Sequence, residues 1–458
     1  MLNNKGIASS TILVCLPLLI LLGAIVWLLT IRLEGTVPVV RFAAEPSAIG
    51  VSQKLNFTLS DPKSGLKSLK VTLRQGQKET LLLETDYPEK DLLGRGKVTS
   101  VPVEIAISPK SLGLADGDAV LTISARDRSW RHWWHGNPVL FEKTLPVDTR
   151  PPQMEVLSLA HNVNQGGTGF IVYRLSERCP NSGVMVGDNF FPGYAGYAAD
   201  PLVHLCFFAL KPEQGVGTNL ALQADDVVGN HSTIGFMHHI RAKAFKKDSI
   251  PITDSFLNSK LPEFDLTGPV AAGSLLDQFL KVNREVRADN FKTITGFTAK
   301  TDPVLRWKGA FMQLPNGANR ASFAQDRTYM YNGAAVDQQT HLGLDFASLA
   351  HSPIPAANAG KVVCAERIGI YGNTVILDHG FGVFSLYGHM SDMSVTVGQE
   401  VQKGDTLGHT GTTGWAAGDH LHFSMLVHDI FVDPVEWFDA SWIANNVTSK
   451  LPSGAKAH

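Results

Sequence analysis

The chain has 458 residues, 44% hydrophobic and 18% charged, with 40 basic side chains against 42 acidic ones and a formal net charge of −2. At about 100–200 residues per domain this length fits two to four domains, each able to bury a core. The near-neutral balance, with no Lys/Arg block, argues against a nucleic-acid footprint and against an electrostatic attachment to lipid.

No residue between Lys5 and Arg32 is charged, and the run from Ile12 to Ile31 is almost wholly apolar. Coiled as a helix, that run spans a hydrocarbon layer ~30 Å thick. A cleaved leader has an apolar region of about 7–15 residues that ends in small side chains. Here Trp27, Leu28 and Leu29 run straight into Arg32, and Val14 rather than a small residue precedes Cys15. The expectation is an uncleaved single-pass anchor, residues 1–34 with a cytoplasmic tip, and the bulk of the chain on one side. Of the remaining cysteines, Cys364 stands alone, and Cys179 and Cys206 are either a single bridge or two buried thiols.

From Val37 to about Pro146 short runs alternate apolar and polar residues, as in Leu69-Lys70-Val71-Thr72-Leu73 and Val101 to Ile107, broken by turn-formers such as Asp61-Pro62 and Gly94-Arg95-Gly96. Alternation with frequent turns predicts a β-sandwich. The segment Leu121 to Asp127 returns imperfectly as Leu220 to Asp226, so two tandem sandwiches are expected, over residues 35–148 and 149–250. They meet at Val147 to Pro152, where two prolines keep the backbone extended. Short segments such as Ala-x-Asp before a loop resemble bacterial immunoglobulin-like repeats. The loop Trp130-Arg131-His132-Trp133-Trp134-His135 is unusual: its three indoles suit stacking on sugar rings or a partner, or packing on the neighbouring module.

Next comes a change of period. Leu275, Phe279, Val282 and Val286 recur at helical spacing after a Ser274/Asp277 capping pair, which predicts a helical connector over residues 251–290. Lying between the sandwiches and the rest, it is a packing connector or a cover that keeps a site latent. Strands are expected again after Phe291, through residues 291–440, followed by a tail, residues 441–458.

Eight of the sixteen histidines fall between His341 and His428. In His341-Leu342-Gly343-Leu344-Asp345 an extended backbone brings the imidazole and the carboxylate to one face. His420-Leu421-His422-Phe423 repeats the device with two imidazoles, and Tyr387-Gly388-His389 ends an apolar run with a third. A catalytic zinc takes three N/O ligands and leaves a fourth position open. His341, Asp345 and one of His420 or His422 supply that set. The other imidazole and His389 are then free for general-base or oxyanion work on a water activated near neutral pH. His-Glu-x-x-His and Gly-x-Ser-x-Gly are absent, and Cys364 reads as a buried strand thiol.

These motifs carry a resemblance. With Tyr371-Gly372-Asn373-Thr374-Val375, Asp378-His379-Gly380, Gly411-x-Thr413-Gly414 and Asp433-Pro434, the segment from Ala321 to Phe438 resembles the catalytic domain of the lysostaphin and LytM-type zinc endopeptidases. The resemblance implies a mainly antiparallel β domain that cuts peptide cross-links of bacterial peptidoglycan. It implies that His341, Asp345 and His422 bind Zn2+, while His389 and His420 orient or deprotonate the water and stabilise the oxyanion. Two positions depart from the family pattern: Ser424 stands where Glu is usual, and Asp419 replaces Pro before His420. Neither is a ligand, so tuning rather than loss of activity is expected. Tyr329 and Tyr331 are candidates for an oxyanion donor, and His379 is read as structural.

The whole is therefore expected to be mainly β: a membrane helix, two sandwiches, a connector and a zinc endopeptidase working outside the cytoplasmic membrane on peptidoglycan stem peptides or cross-bridges. The alternative is a catalytically silent relative that binds or activates another wall hydrolase.

Overall fold

The structure is a computed structural model, and it describes residues 5–89 and 96–452, with the side chains of residues 5–14 left aside. It is mainly β, with one apolar N-terminal helix, Lys5–Arg32, and a sheet-rich remainder. The expected turn residues Gly94 and Arg95 lie outside the described residues. The chain divides into two compact units, Met1–Pro151 with Val227–Asn230, and Pro152–Asp226 with His231–His458.

In the first unit the helix window Cys15–Arg32 is long and apolar enough to cross a membrane. Among the described residues, a sheet of Val39–Phe42, Gln53–Ser60 and Ser100–Ile107 faces one of Lys78–Asp86, Leu66–Gln75, Gly117–Asp127 and Pro138–Val147. The alternation decides which side is dry. Ala119, Leu121, Ile123 and Ala125 are buried on one face of their strand, and the residues between them are half-buried on the other. Val71 and Leu73 on the neighbouring strand of the same sheet, and Leu55, Phe57 and Ile105 on the facing sheet, complete the same core.

The second unit begins with another pair of sheets. One has Met154–Val156, Thr168–Leu175 and Val203–Ala209; the other has Asn189–Pro192, Asn181–Val186, Leu220–Asp225 and His231–Gly235. Every residue of Val203–Ala209 is buried, because both faces of that strand are covered. Phe207 packs with its ring centroid 6.3 Å from Trp307 and 6.0 Å from Trp437, so this module and the C-terminal region share one apolar core. A buried carboxylate joins them too: Glu436 accepts from Asn164 Nδ2 (2.7 Å) and the Thr168 amide (2.8 Å). Cys179 and Cys206 are free thiols; Cys206 is fully buried and donates to the Phe191 carbonyl.

Ser274 and Asp277 form the expected capping box at the start of Leu275–Lys281. A single π turn, Val282–Val286, then leads into Arg287–Thr298. Strands therefore do not return at Phe291: the helix runs on to Thr298 and the next strand is Ala318–Ala321. Asn290, Ile294 and Thr298 keep the four-residue burial period there, although the threonines and Phe291 read as strand formers.

Beyond them the large antiparallel sheet runs Ala318–Ala321, Leu344–Ala347, Leu421–Val427, Val383–Met390, Gly372–Gly380, Gly360–Ile368, Glu400–Val401. A smaller sheet flanks it, in which Lys247–Ile252 pairs in parallel with Gln325–Tyr331, itself paired to Ala334–His341.

Candidate metal centre and active site

The three elements that carry His341, Asp345 and His422 meet where the two sheets adjoin. His341 ends its strand, the chain breaks at Leu342-Gly343, and Asp345 enters the large sheet directly opposite His422. Gly343 is required by crowding: a Cβ there would lie 2.7 Å from the His422 ring and from the Phe423 carbonyl. The spacing His-x-Gly-x-Asp is thus a strand interrupted so that a third side chain can enter between its ends.

Three donor atoms converge. His341 Nε2 lies 3.0 Å from Asp345 Oδ1 and 3.1 Å from His422 Nδ1, and the last two are 2.9 Å apart. All three residues are buried. The outer hydrogen bonds fix what faces inward. His341 Nδ1 donates to the Ser322 carbonyl (3.0 Å), leaving Nε2 bare. Ser424 Oγ donates to the Leu342 carbonyl (2.7 Å), so it accepts from His422 Nε2–H (3.0 Å) and leaves Nδ1 bare.

Two imidazole lone pairs and a carboxylate oxygen therefore point at one another with no proton among them. That set is repulsive by itself and fits a cation. Four ligands placed tetrahedrally at zinc distances sit about 3.3 Å apart, close to the separations here. Burial lowers the His422 imidazole to about 4, against the pull of Asp345, which keeps the ring neutral.

Arg327, which the sequence reading missed, donates from Nη2 to Asp345 Oδ2 (3.0 Å) and turns the other oxygen, Oδ1, toward the histidines. No motif marks it; it arrives by the pairing of Gln325–Tyr331 with Ala334–His341.

His389 and His420 stand beside this cluster, their rings 4.8 Å apart. His389 Nδ1 donates to the Thr413 carbonyl (2.8 Å) and His420 Nδ1 to the Gly418 carbonyl (2.7 Å). Each keeps a bare Nε2, and that of His420 is 3.7 Å from Asp345 Oδ1. Burial, together with His420 and His422, holds the His389 imidazole well below its usual range. His389 takes a positive φ of 62° beside Gly388, which lets the ring lean over the site.

All five residues line a cavity of about 320 Å³, whose other walls include Tyr329, Tyr371, Trp415, Arg287 and Arg320. Tyr371 sets its ring edge-on to His422 at 5.4 Å. Tyr331 does not reach the cavity, and its hydroxyl donates to Asp254. His379 is enclosed, donating from Nδ1 to the Ala359 carbonyl and bonded at Nε2 to Ser385.

The connector touches the site from behind. Phe256 and Arg287 line the cavity, whereas Phe279 packs on Tyr329 and Trp415. Glu263 accepts from the Gly414 amide (2.7 Å) and Lys260 donates to the Thr412 carbonyl, which pins the loop that holds His389.

A buried His/His/Asp cluster beside two free imidazoles in an antiparallel groove defines a metallopeptidase-like centre, and residues 339–434 match Peptidase family M23. The C-terminal region is thus an M23 peptidase domain of the LytM and lysostaphin kind. Over 95 residues the chain is 37% identical to the DD-carboxypeptidase/endopeptidase Mpg of Neisseria meningitidis, covering 21% of this chain and 22% of that protein. Over 87 residues it is 36% identical to the peptidoglycan DD-endopeptidase ShyA of Vibrio cholerae, covering 19% and 20%. The catalytic domain of lysostaphin from Staphylococcus simulans is 27% identical, covers 29% of this chain and 98% of its own length, and has a TM-score of 0.24. The chain spans about a fifth of the length of these curated relatives.

Proposed function

We propose that the protein is a zinc-dependent endopeptidase that hydrolyses peptide cross-links of bacterial peptidoglycan, held at the outer face of the cytoplasmic membrane by its apolar helix. The observation that carries this reading is the convergence of three unprotonated donors, His341 Nε2, His422 Nδ1 and Asp345 Oδ1, within 3.1 Å of one another. These three residues would hold the ion. Zinc bound there supplies Lewis-acid activation of a water and of the scissile amide.

The rest of the chemistry belongs to the chain. His420 and His389 spend Nδ1 on backbone carbonyls and keep Nε2 for the water, so each is poised to take its proton and pass it to the departing amine. Once protonated, the same nitrogen is a donor to the oxyanion. Arg327 and Ser424 hold Asp345 and His422 in the orientation the ion needs. Arg287 and Arg320 line the cavity together with Asp248, so the bound peptide would meet charge of both signs there. The proposed layout keeps residues 1–34 as anchor and 35–148 and 149–250 as sandwiches, with the connector running from 251 to the end of its helix at Thr298 and the peptidase strands following from Ala318.

Metal analysis of the purified full chain tests the ligand set. One zinc per chain is expected, with loss of that zinc in His341→Ala and in Asp345→Ala. Zinc retained in full by both variants would reject it.

A further inference from the structure

The loop Trp130–His135 has no part in the peptidase reading, and its placement in the first unit is specific. The Trp130 amide donates to the Arg32 carbonyl (2.7 Å) and Arg131 Nε to the Leu33 carbonyl (2.7 Å). Ser129 Oγ donates to the Glu34 carbonyl (2.9 Å), and the Arg32 guanidinium lies 4.9 Å over the Trp130 ring. A loop about a hundred residues away in sequence is thus tied to the three residues that leave the apolar helix.

Its neck is also fixed. The buried Asp127 accepts from the amides of Ser129 and Asn137 and from Asn137 Nδ2, closing the loop at both ends. Gly136, at a φ of 80°, sits where a Cβ would be 2.0 Å from the Asp127 carbonyl.

On this base the chain makes a left-handed turn. His132, Trp133 and Trp134 have φ of 52°, 55° and 63°, a region that L-residues with side chains avoid. The result is that Trp133 is 85% and Trp134 63% exposed. Large indoles held outward by an unfavourable backbone are not the remains of a core. Their rings are tilted by 48° at 6.5 Å, an arrangement that does not clamp one flat sugar face between them.

An indole is amphipathic, and indoles gather at the headgroup level where a membrane helix emerges. We propose that the loop Trp130–His135 seats Trp133 and Trp134 in the lipid headgroup layer at the exit of the helix Lys5–Arg32. This rests on the membrane-spanning reading of that helix. The attachment is aromatic, consistent with a chain that has no polybasic block. Together with the backbone ties to Arg32 and Leu33, it gives the first sandwich a second hold on the bilayer.

The test uses the full chain in vesicles of phosphatidylethanolamine and phosphatidylglycerol, with part of the lipid brominated either near the headgroup or at the acyl-chain centre. Tryptophan emission of the native chain is compared with Trp133→Ser/Trp134→Ser. Bromine near the headgroup is expected to remove most of the emission by which the two differ. The single variants Trp133→Phe and Trp134→Phe, which keep an aromatic ring, should each lose part of that quenching. Equal fractional quenching of all four chains would overturn the proposal. So would protection of the two indoles from iodide by soluble glycan strands in the absence of lipid quenching, which would assign them to sugar. Trp27, inside the helix, separates the two readings. If Trp27→Phe shows that Trp27 is quenched from the acyl-chain centre while the loop is not quenched, the loop proposal alone fails. If neither is quenched, the membrane reading fails with it.

Discussion

The two sandwiches carry the same strand twice, Leu121 to Asp127 and Leu220 to Asp226, yet they are stabilised in different ways. In the first, strands bury one face and wet the other, and the core closes within the module. In the second, Thr168–Leu175 and Val203–Ala209 are covered almost throughout, because Trp307, Trp437 and their neighbours supply the missing layer. A repeat in sequence therefore does not make equal modules. What packs on the outer face decides whether a sandwich is a unit of its own or part of the domain that carries the site.

The largest expected effect breaks this contrast at its apolar contacts. Phe207→Ala should cost about 3–5 kcal/mol and lower the unfolding midpoint of the second sandwich and the peptidase together. Phe57→Ala should cost a similar amount in the first sandwich and leave the peptidase transition where it was. Urea unfolding followed by hydrogen exchange distinguishes the two. Independent melting of the second sandwich and the peptidase in the native chain would deny the shared core.

A smaller effect is expected at Ser424, within the same shared core. Ser424→Ala removes the acceptor for His422 Nε2–H, and metal affinity should fall by about 10–100-fold, read by competition with a chromogenic chelator. Ser424→Thr, which keeps the hydroxyl, should retain most of it. Unchanged affinity in the alanine variant would remove Ser424 from the support of the site.

A third effect is a pH dependence at the polar joint. Burial raises the Glu436 carboxyl from 4.5 to about 7. The folded chain then holds a proton that the unfolded chain has released between those values. That stabilisation is complete below pH 4.5 and is lost as the pH rises through about 7. Glu436→Gln should flatten the slope of stability against pH in this window, and an unchanged slope would assign it elsewhere.

How far the sequence could be read follows from the distance between the partners. His420 and His422 are close enough in the chain for strand periodicity to place them on a common face, and the alternation in the first sandwich marks its dry side without help; His341 and Asp345, expected on one extended segment, instead end one strand and begin another across the break at Leu342-Gly343. Arg327 on Asp345, Lys247–Ile252 beside Gln325–Tyr331 and Glu436 on Asn164 are joined only by long-range packing, which no local pattern records. The helix through Phe291 misled for the opposite reason: its β-branched and aromatic residues favour strands locally, and the burial of Asn290, Ile294 and Thr298 overrides that preference.

The most direct test of the account is digestion of purified wall sacculi by the zinc-loaded full chain beside His422→Ala. Peptide release by the native chain is expected, with new amino termini at the cross-links, and background release by the variant. Equal release by both would contradict it.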